Sequence, residues 1–123
     1  MLLDKYILSE KVQTYVLSSG TKNFHVKPKI DLEVARPLLA TMHKMHRAGV
    51  DNYYSRRDGK VRKLTPREVF RLQGFPESFK FSVSDLQAYK QAGNAVPINV
   101  VEKVCTSVIN YLFKNKKNLK KVA

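Results

Sequence analysis

The apolar positions of this chain fall into blocks of different period, separated by turns that glycine and proline mark. Ser9 is suited to cap a first helix in which Val12, Tyr15, Val16 and Leu17 form one stripe before Ser18-Ser19-Gly20 ends it. From Thr21 to Asp51 the pattern is irregular. Phe24 and Val26 alternate as in a strand, Pro28 interrupts, and Leu38-Leu39-Ala40-Thr41-Met42 predicts a buried strand. Asn52-Tyr53-Tyr54-Ser55 predicts another strand, followed by Arg57-Asp58-Gly59-Lys60 as a hairpin turn leading to Val61.

The second half carries sharper signals. Thr65 can cap a helix, Pro66 sits at its first position where a missing N–H is harmless, and Glu68 is placed to bond back to the cap. Val69, Phe70 and Leu72 give that helix apolar surface, and Gly74 suits the left-handed residue that ends it before Phe75-Pro76. Ser84 with Gln87 repeats the capping pattern, and Gly93 is expected to close the second helix at Gln91-Ala92. A last helix starts near Pro97. At ~100° per residue, Ile98, Val100, Val101, Val104, Cys105, Val108, Ile109, Tyr111, Leu112 and Phe113 occupy well over half its circumference. A helix lying on one side of a small core needs a stripe of little more than ~100°. This one asks for neighbours on two sides, and leaving four such side chains in water forgoes on the order of 6–12 kcal/mol.

Composition narrows the function. A chain of 123 residues, 43% hydrophobic and without tryptophan, is about one domain, and the short strands and helices expected along it make an α+β fold. Its single cysteine excludes an intrachain disulfide framework. No apolar run of about 18 residues occurs, and the Met1-Leu2-Leu3-Asp4-Lys5 start lacks a signal-peptide core, so a cytoplasmic protein without membrane contact is expected. Twenty-three Lys and Arg against ten Asp and Glu give a formal +13, the footprint of a phosphate-backbone binder. Arg47, Arg56, Arg57, Lys60, Arg62, Lys63, Arg67 and Arg71 crowd one span with Asp51, Asp58 and Glu68 as its acids. We read that cluster as DNA-facing, and the lysines from Lys114 to Lys121 as a solvated helix end. His43 and His46 are three apart, but no cysteine or carboxylate completes a metal set, so they read as polar core residues or as donors to bases and phosphates.

Two segments taken together carry a family resemblance: RKLTPREVFRLQGFPESF from Arg62 to Phe79, and SDLQAYKQAGNAVPINV from Ser84 to Val100. They resemble motifs IX and X, the last two blocks of the bacterial DNA cytosine-5 methyltransferases. Arg62, Leu64, Thr65, Pro66, Arg67, Glu68, Arg71, Leu72, Gly74, Phe75 and Pro76 match the first. Gln87, Ala88, Tyr89, Gly93, Asn94 and Val96 match the second. Upstream, Ala40-Thr41-Met42 is similar to the Thr-Leu-type dipeptide near the end of the family's target recognition region.

The resemblance implies an organisation. Residues 1–60 correspond to the C-terminal portion of the target recognition domain, 61–80 to the motif IX helix and loop, 81–113 to motif X helices returning to the catalytic domain, and 114–123 to a basic tail. The final helix is then expected to pack on a Rossmann-like domain that binds S-adenosylmethionine. Gly93, Asn94 and Ala95 are implied as cofactor neighbours, with Ala95 standing where the family often has serine. Thr41, Met42, His43, Lys44, Arg47, Arg56 and Arg57 are implied or read as DNA-binding, and Arg62, Thr65, Pro66, Arg67, Glu68, Arg71 and Gly74 as the structural motif. Family members also carry a Phe-x-Gly-x-Gly loop, a Pro-Cys nucleophile loop, a Glu-Asn-Val block and a Gln-x-Arg-x-Arg block, and this sequence holds none of them. Cys105, between Val104 and Thr106, reads as a buried packing residue and not as a nucleophile. No residue of the chain is therefore expected to be catalytic. The implied role is the C-terminal subunit or fragment of a split cytosine-5 methyltransferase, acting on double-stranded DNA with an N-terminal partner that carries the cofactor loop and the Pro-Cys nucleophile. The alternatives are a stand-alone basic DNA-binding module or an inactive remnant.

Overall fold

Turn signals at Arg57 to Lys60 and at Thr65-Pro66 become element boundaries in the computed structural model, which describes residues 4–122, with side chains through 115. The Met1-Leu2-Leu3 start and the tail side chains beyond Asn115, both interpreted above, lie outside the described residues. A short 3-10 turn at Asp4–Tyr6 leads to helix α1, Glu10–Val16, then to the two-residue strands β1, Gly20–Thr21, and β2, Phe24–His25. An irregular run with a 3-10 turn at Met42–Lys44 precedes the hairpin of β3, Tyr53–Ser55, and β4, Val61–Lys63. Helices α2, Pro66–Leu72, α3, Asp85–Asn94, and α4, Ile98–Val122, complete the chain.

Both two-stranded sheets are antiparallel. In the first, Gly20 pairs with His25 and Thr21 with Phe24; in the second, Tyr53 pairs with Lys63 and Ser55 with Val61. The second sheet is extended at both edges by chain that is not itself a strand. Ile7 bridges to Arg62 and the Leu8 N–H donates to the Val61 carbonyl at 2.9 Å, while Asp31, at φ 54°, donates to Tyr53 and accepts from the Ser55 N–H. Edge groups that two short strands would leave bare are thereby satisfied.

Two small cores result. One gathers Leu64, Val69, Phe70, Ala88, Tyr89 and Ala92 where α2 meets α3, with Phe75 and Phe81 packed on it. Phe70 lies at its centre, 5.2 Å edge-on to Phe75 and 4.9 Å stacked on Phe81. The other gathers Leu8, Val16, Ala48, Tyr53 and Val61 beneath α1 and the β3–β4 hairpin. Tyrosine hydroxyls bind each core to nearby main chain: Tyr89 to the Leu64 carbonyl at 2.6 Å, Tyr53 to the His46 carbonyl at 2.6 Å. Burial pushes both phenols well above their ordinary pKa.

Four expectations need correction. Leu38 to Met42 form no strand; Leu38 and Met42, four apart, both pack on the first core while the chain between them turns. Gly93 does not end α3, which continues through Asn94 to a C-cap at Ala95. Its lack of a side chain answers a close approach instead, because a Cβ there would lie 2.3 Å from the Ala40 nitrogen and the Leu39 carbonyl carbon. Cys105 is exposed on α4, not buried. The α1 stripe is also narrower than its spacing suggested, since Val16 is buried but Tyr15 and Leu17 are exposed.

Candidate DNA and cofactor interface

The motif from Arg62 to Pro76 is built as a self-locking unit. Thr65 caps α2 by accepting from the Glu68 N–H, and the Glu68 carboxylate accepts from the Thr65 N–H at 2.8 Å, the full capping box. The same carboxylate holds Arg62 through two bonds of 2.8 and 2.9 Å, with the guanidinium also 5.5 Å over the Tyr54 ring. Burial acts to raise the Glu68 pKa, but Arg62 and the Thr65 N–H more than reverse it, so the carboxyl lies below its usual range. Arg71 pairs with Glu77 across the helix end, and Arg67 lies 4.9 Å over the Phe81 ring. Gly74, at φ 81°, supplies the left-handed turn. These cations face their own chain.

Gln73 was passed over by the sequence reading and proves central. Its buried side chain donates to the Ala92 carbonyl at 2.7 Å and the Ala95 carbonyl at 3.2 Å, while its own carbonyl accepts from the Ile98 N–H at 2.9 Å. One residue thus joins the ends of α2 and α3 to the start of α4. Nothing in its sequence spacing signalled this, since the partners lie 19 and more residues away.

Gly93, Asn94 and Ala95 sit at that corner. Asn94 is exposed, and Gly93 and Ala95 are half-buried beside an open groove that Arg36, Pro37, Gln73 and Pro97 also line. The expected Gly-Asn turn is instead the last helical turn of α3, with the bend made by Ala95-Val96-Pro97. In the first turn of α4 the Ile98 N–H goes to Gln73, and those of Val100 and Val101 to Pro97. Among the described residues, the Asn99 N–H and the Asn94 amide remain to meet a polar ligand group. The groove itself is walled by Val34, Pro37, Leu38 and Leu72 with Arg36 and Gln73, while Asn94 and Asn99 stand exposed outside its lining.

The expected DNA-facing residues are not brought to equal use. Thr41 and Lys44 are exposed, and the Thr41 hydroxyl lies 3.0 Å from His46 Nε2. Met42 packs into the first core, and the His43 ring meets the Ala40 carbonyl at 3.2 Å. Arg47 donates to Ser18 Oγ at 2.9 Å and lies 4.7 Å over the Tyr15 ring. At the β3–β4 turn, Arg57 is exposed, whereas Arg56 pairs with Asp4 at 3.5 Å and Asp58 at 3.4 Å. No group of three or more His, Cys, Asp or Glu is arranged for a metal among the described residues. Nor is any described helix long and apolar enough to cross a membrane.

Among the described residues, the apolar arc of α4 has no cover. Val100, Val101, Val104, Val108, Ile109, Tyr111, Leu112 and Phe113 on α4 are between 43% and 67% exposed. Among the described residues, helix α4 is joined to the rest at its root, where the Ile98 N–H bonds to the Gln73 carbonyl and a Cβ at Gly74 would lie 3.5 Å from Ile98 and 3.3 Å from Asn99.

Comparison with known proteins agrees with the motif reading. A family model described as C-5 cytosine-specific DNA methylase matches residues 5–110. The chain is 34% identical over 121 residues to the type II methyltransferase M1.ScrFI of Lactococcus lactis subsp. cremoris, covering 93% of this chain and 30% of that one. It is 37% identical over 117 residues to M.BanI of Aneurinibacillus aneurinilyticus, covering 95% and 25%, and 51% identical over 63 residues to M.DsaV of Dactylococcopsis salina, covering 50% and 18%. It therefore spans less than a third of the length of these relatives. In fold it is similar to the crystal structure of the S. pombe Dnmt2 methyltransferase, with a TM-score of 0.70 at 20% identity over 89% of this chain and 39% of that one.

Proposed function

The chain belongs to the C-5 cytosine-specific DNA methylase family, and from that premise we propose that it forms the DNA-facing, cofactor-closing C-terminal portion of a cytosine-5 DNA methyltransferase of the restriction-modification type. The observation that carries this reading is the bare apolar face of α4. Eight large apolar side chains in water on one helix are costly, and a second protein surface is their natural cover. That surface is the cofactor-binding domain of an N-terminal partner carrying the Pro-Cys nucleophile. S-adenosylmethionine supplies the methyl group when bound. Asn94, the Ala95 main chain and the Asn99 N–H hold its polar end, and Gln73 keeps their corner in place. Thr41, Lys44, Arg47 and Arg57 approach the duplex, and the Arg62–Glu68–Thr65 lock sets the angle between the DNA-facing half and α3.

Co-expression with a chain carrying the Pro-Cys loop, followed by transfer of labelled methyl from S-adenosylmethionine to duplex DNA, tests the proposal. Activity should require both chains and fall when Val104 and Ile109 are replaced by aspartate. A stable complex without transfer points to an inactive remnant. No complex, with α4 soluble in a well-behaved monomer, points to a stand-alone DNA-binding module.

A further inference from the structure

Most arginines of this chain have a partner within it. Arg62 holds Glu68, Arg56 reaches Asp4 and Asp58, Arg47 bonds Ser18, and Arg67 lies over the Phe81 ring. Arg36 breaks that pattern. Its Nε is the one buried side-chain nitrogen or oxygen without a hydrogen-bond partner among the described residues. A guanidinium stripped of water on one side and given no acceptor in return is unfavourable. The residue is also pinned in place. The Arg36 N–H donates to Asn52 Oδ1 at 2.8 Å, the Asn52 amide donates back to the Arg36 carbonyl at 3.1 Å, and Asn52 itself is buried. Arg36 lines the groove that Gly93, Ala95 and Pro97 share, about 480 Å³ in volume. Most of its wall is apolar, with Val34 81% and Leu72 45% exposed beside Pro37 and Leu38. No described carboxylate borders it. Gln73, the other polar side chain there, already donates to the Ala92 and Ala95 carbonyls.

We propose that this groove is a second docking site for the cofactor-binding partner, apart from the α4 arc, and that it takes an aspartate or glutamate set between aliphatic side chains, its carboxylate on Arg36. The proposal rests on the partner reading above and names the chemistry of one contact. Three features converge on that occupant. An unpaired cation in an otherwise apolar wall calls for a single negative charge. The groove includes Ala95 and Pro97, directly before Ile98 and the bare arc of α4, so a surface that covers the arc also reaches it. Relatives carry more than two thirds of their length outside the part matched here, ample chain to supply the segment. A duplex phosphate suits the groove less, since Val34, Pro37 and Leu72 would be pressed against a hydrated, charged rod. Once made, the bond fixes the recognition half and the root of α4 to one partner surface.

Free and partner-bound chains respond with opposite sign. Arg36→Met keeps much of the side chain's length and removes the unpaired charge, so the free chain should melt at or above wild type. In titrations against the purified chain that carries the Pro-Cys loop, the same variant should bind on the order of 30-fold more weakly, since the partner's carboxylate is left buried and alone. Arg36→Lys, which keeps the charge but loses the planar fork, should fall between. Lys90→Met, an equal loss of charge on exposed α3, should change neither measurement. With both chains at saturating concentration, Arg36→Met should still bind labelled S-adenosylmethionine and duplex DNA as wild type does. Loss of either assigns the guanidinium to the cofactor's carboxylate or to a phosphate and overturns the proposal. A free Arg36→Met chain that melts well below wild type also overturns it, because Arg36 is then satisfied within its own fold. Unchanged partner affinity overturns it as well and leaves the α4 reading standing. A wild-type chain that forms no complex overturns both.

Discussion

Residues 11–50 and residues 62–94 spend positive charge in opposite ways. In the later segment, Arg62 and Arg71 each face a carboxylate and Arg67 lies over a ring, so cations there define a rigid joint. In the earlier one, the sequence sets seven cations against Asp31 and Glu33, and Arg47 bonds the neutral Ser18 hydroxyl. A raw count of basic residues would assign the DNA face to the cluster from Arg47 to Arg71. Pairing lowers the weight of Arg62 and Arg71 in that count, because a guanidinium held bidentately by its own chain has little to offer a phosphate. If the contrast is right, damage to the later segment acts on stability and damage to the earlier one on DNA affinity.

The largest effects belong to the joint. Phe70→Ala removes the ring around which Phe75, Phe79 and Phe81 are arranged and should destabilise by about 3–5 kcal/mol in urea unfolding. Gly93→Ala comes next, at about 1–3 kcal/mol, because the added methyl meets main chain of Leu39 and Ala40 that cannot rotate away. A neutral Gly93→Ala would mean that the approach of that loop to α3 is not tight, and the close-packing account of Gly93 would fail.

How much of this was legible in the sequence depended on distance along the chain. The capping box at Thr65 and Glu68 and the turn at Gly74 were readable because their physics is local, within one turn of helix. Gly93 was misread for the opposite reason: its closest neighbours, Leu39 and Ala40, lie more than fifty residues away. Leu38 to Met42 looked like a strand because apolar runs carry no period, and with no strand beside it the segment turned instead. The pairs Arg62–Glu68 and Arg71–Glu77 are both six apart, straddling a helix boundary where no spacing rule applies. The width of the α4 apolar arc was plain, and among the described residues its side chains stand exposed.

Acidification separates two carboxylates within the fold. The Glu68 pKa is lowered when folded, so its contribution is complete above the ordinary carboxylate range and disappears as pH falls through the folded value. Burial raises the pKa of Asp51, although the His46 N–H bonds to it at 2.8 Å, so its contribution runs the other way and is lost as pH rises. Glu68→Gln should therefore destabilise by about 1–2 kcal/mol at neutral pH, with the gap to wild type closing toward pH 3. Asp51→Asn should match or exceed wild type at neutral pH and lose any advantage on acidification. Melting temperatures measured from pH 3 to 8 decide both, and parallel curves for wild type and Glu68→Gln would remove the lock from the account.

The smallest effect is the one that distinguishes exposed from paired cations most directly. Lys44 and Arg57 are exposed, whereas Arg71 is exposed but held by Glu77. Each contact between a free cation and a phosphate adds about 0.9 to the slope of log affinity against log salt. Lys44→Gln and Arg57→Gln should each lower that slope by about this much with unchanged melting, since neither side chain is packed. Arg71→Gln should leave the slope as it is and the melting temperature close to wild type, since an exposed pair contributes little. Because all three substitutions remove one positive charge, a general field effect of the +13 chain would lower all three slopes together. Only site-specific phosphate contact splits them two against one, so an equal response would dissolve the distinction between paired and unpaired cations on which the placement of the DNA face depends.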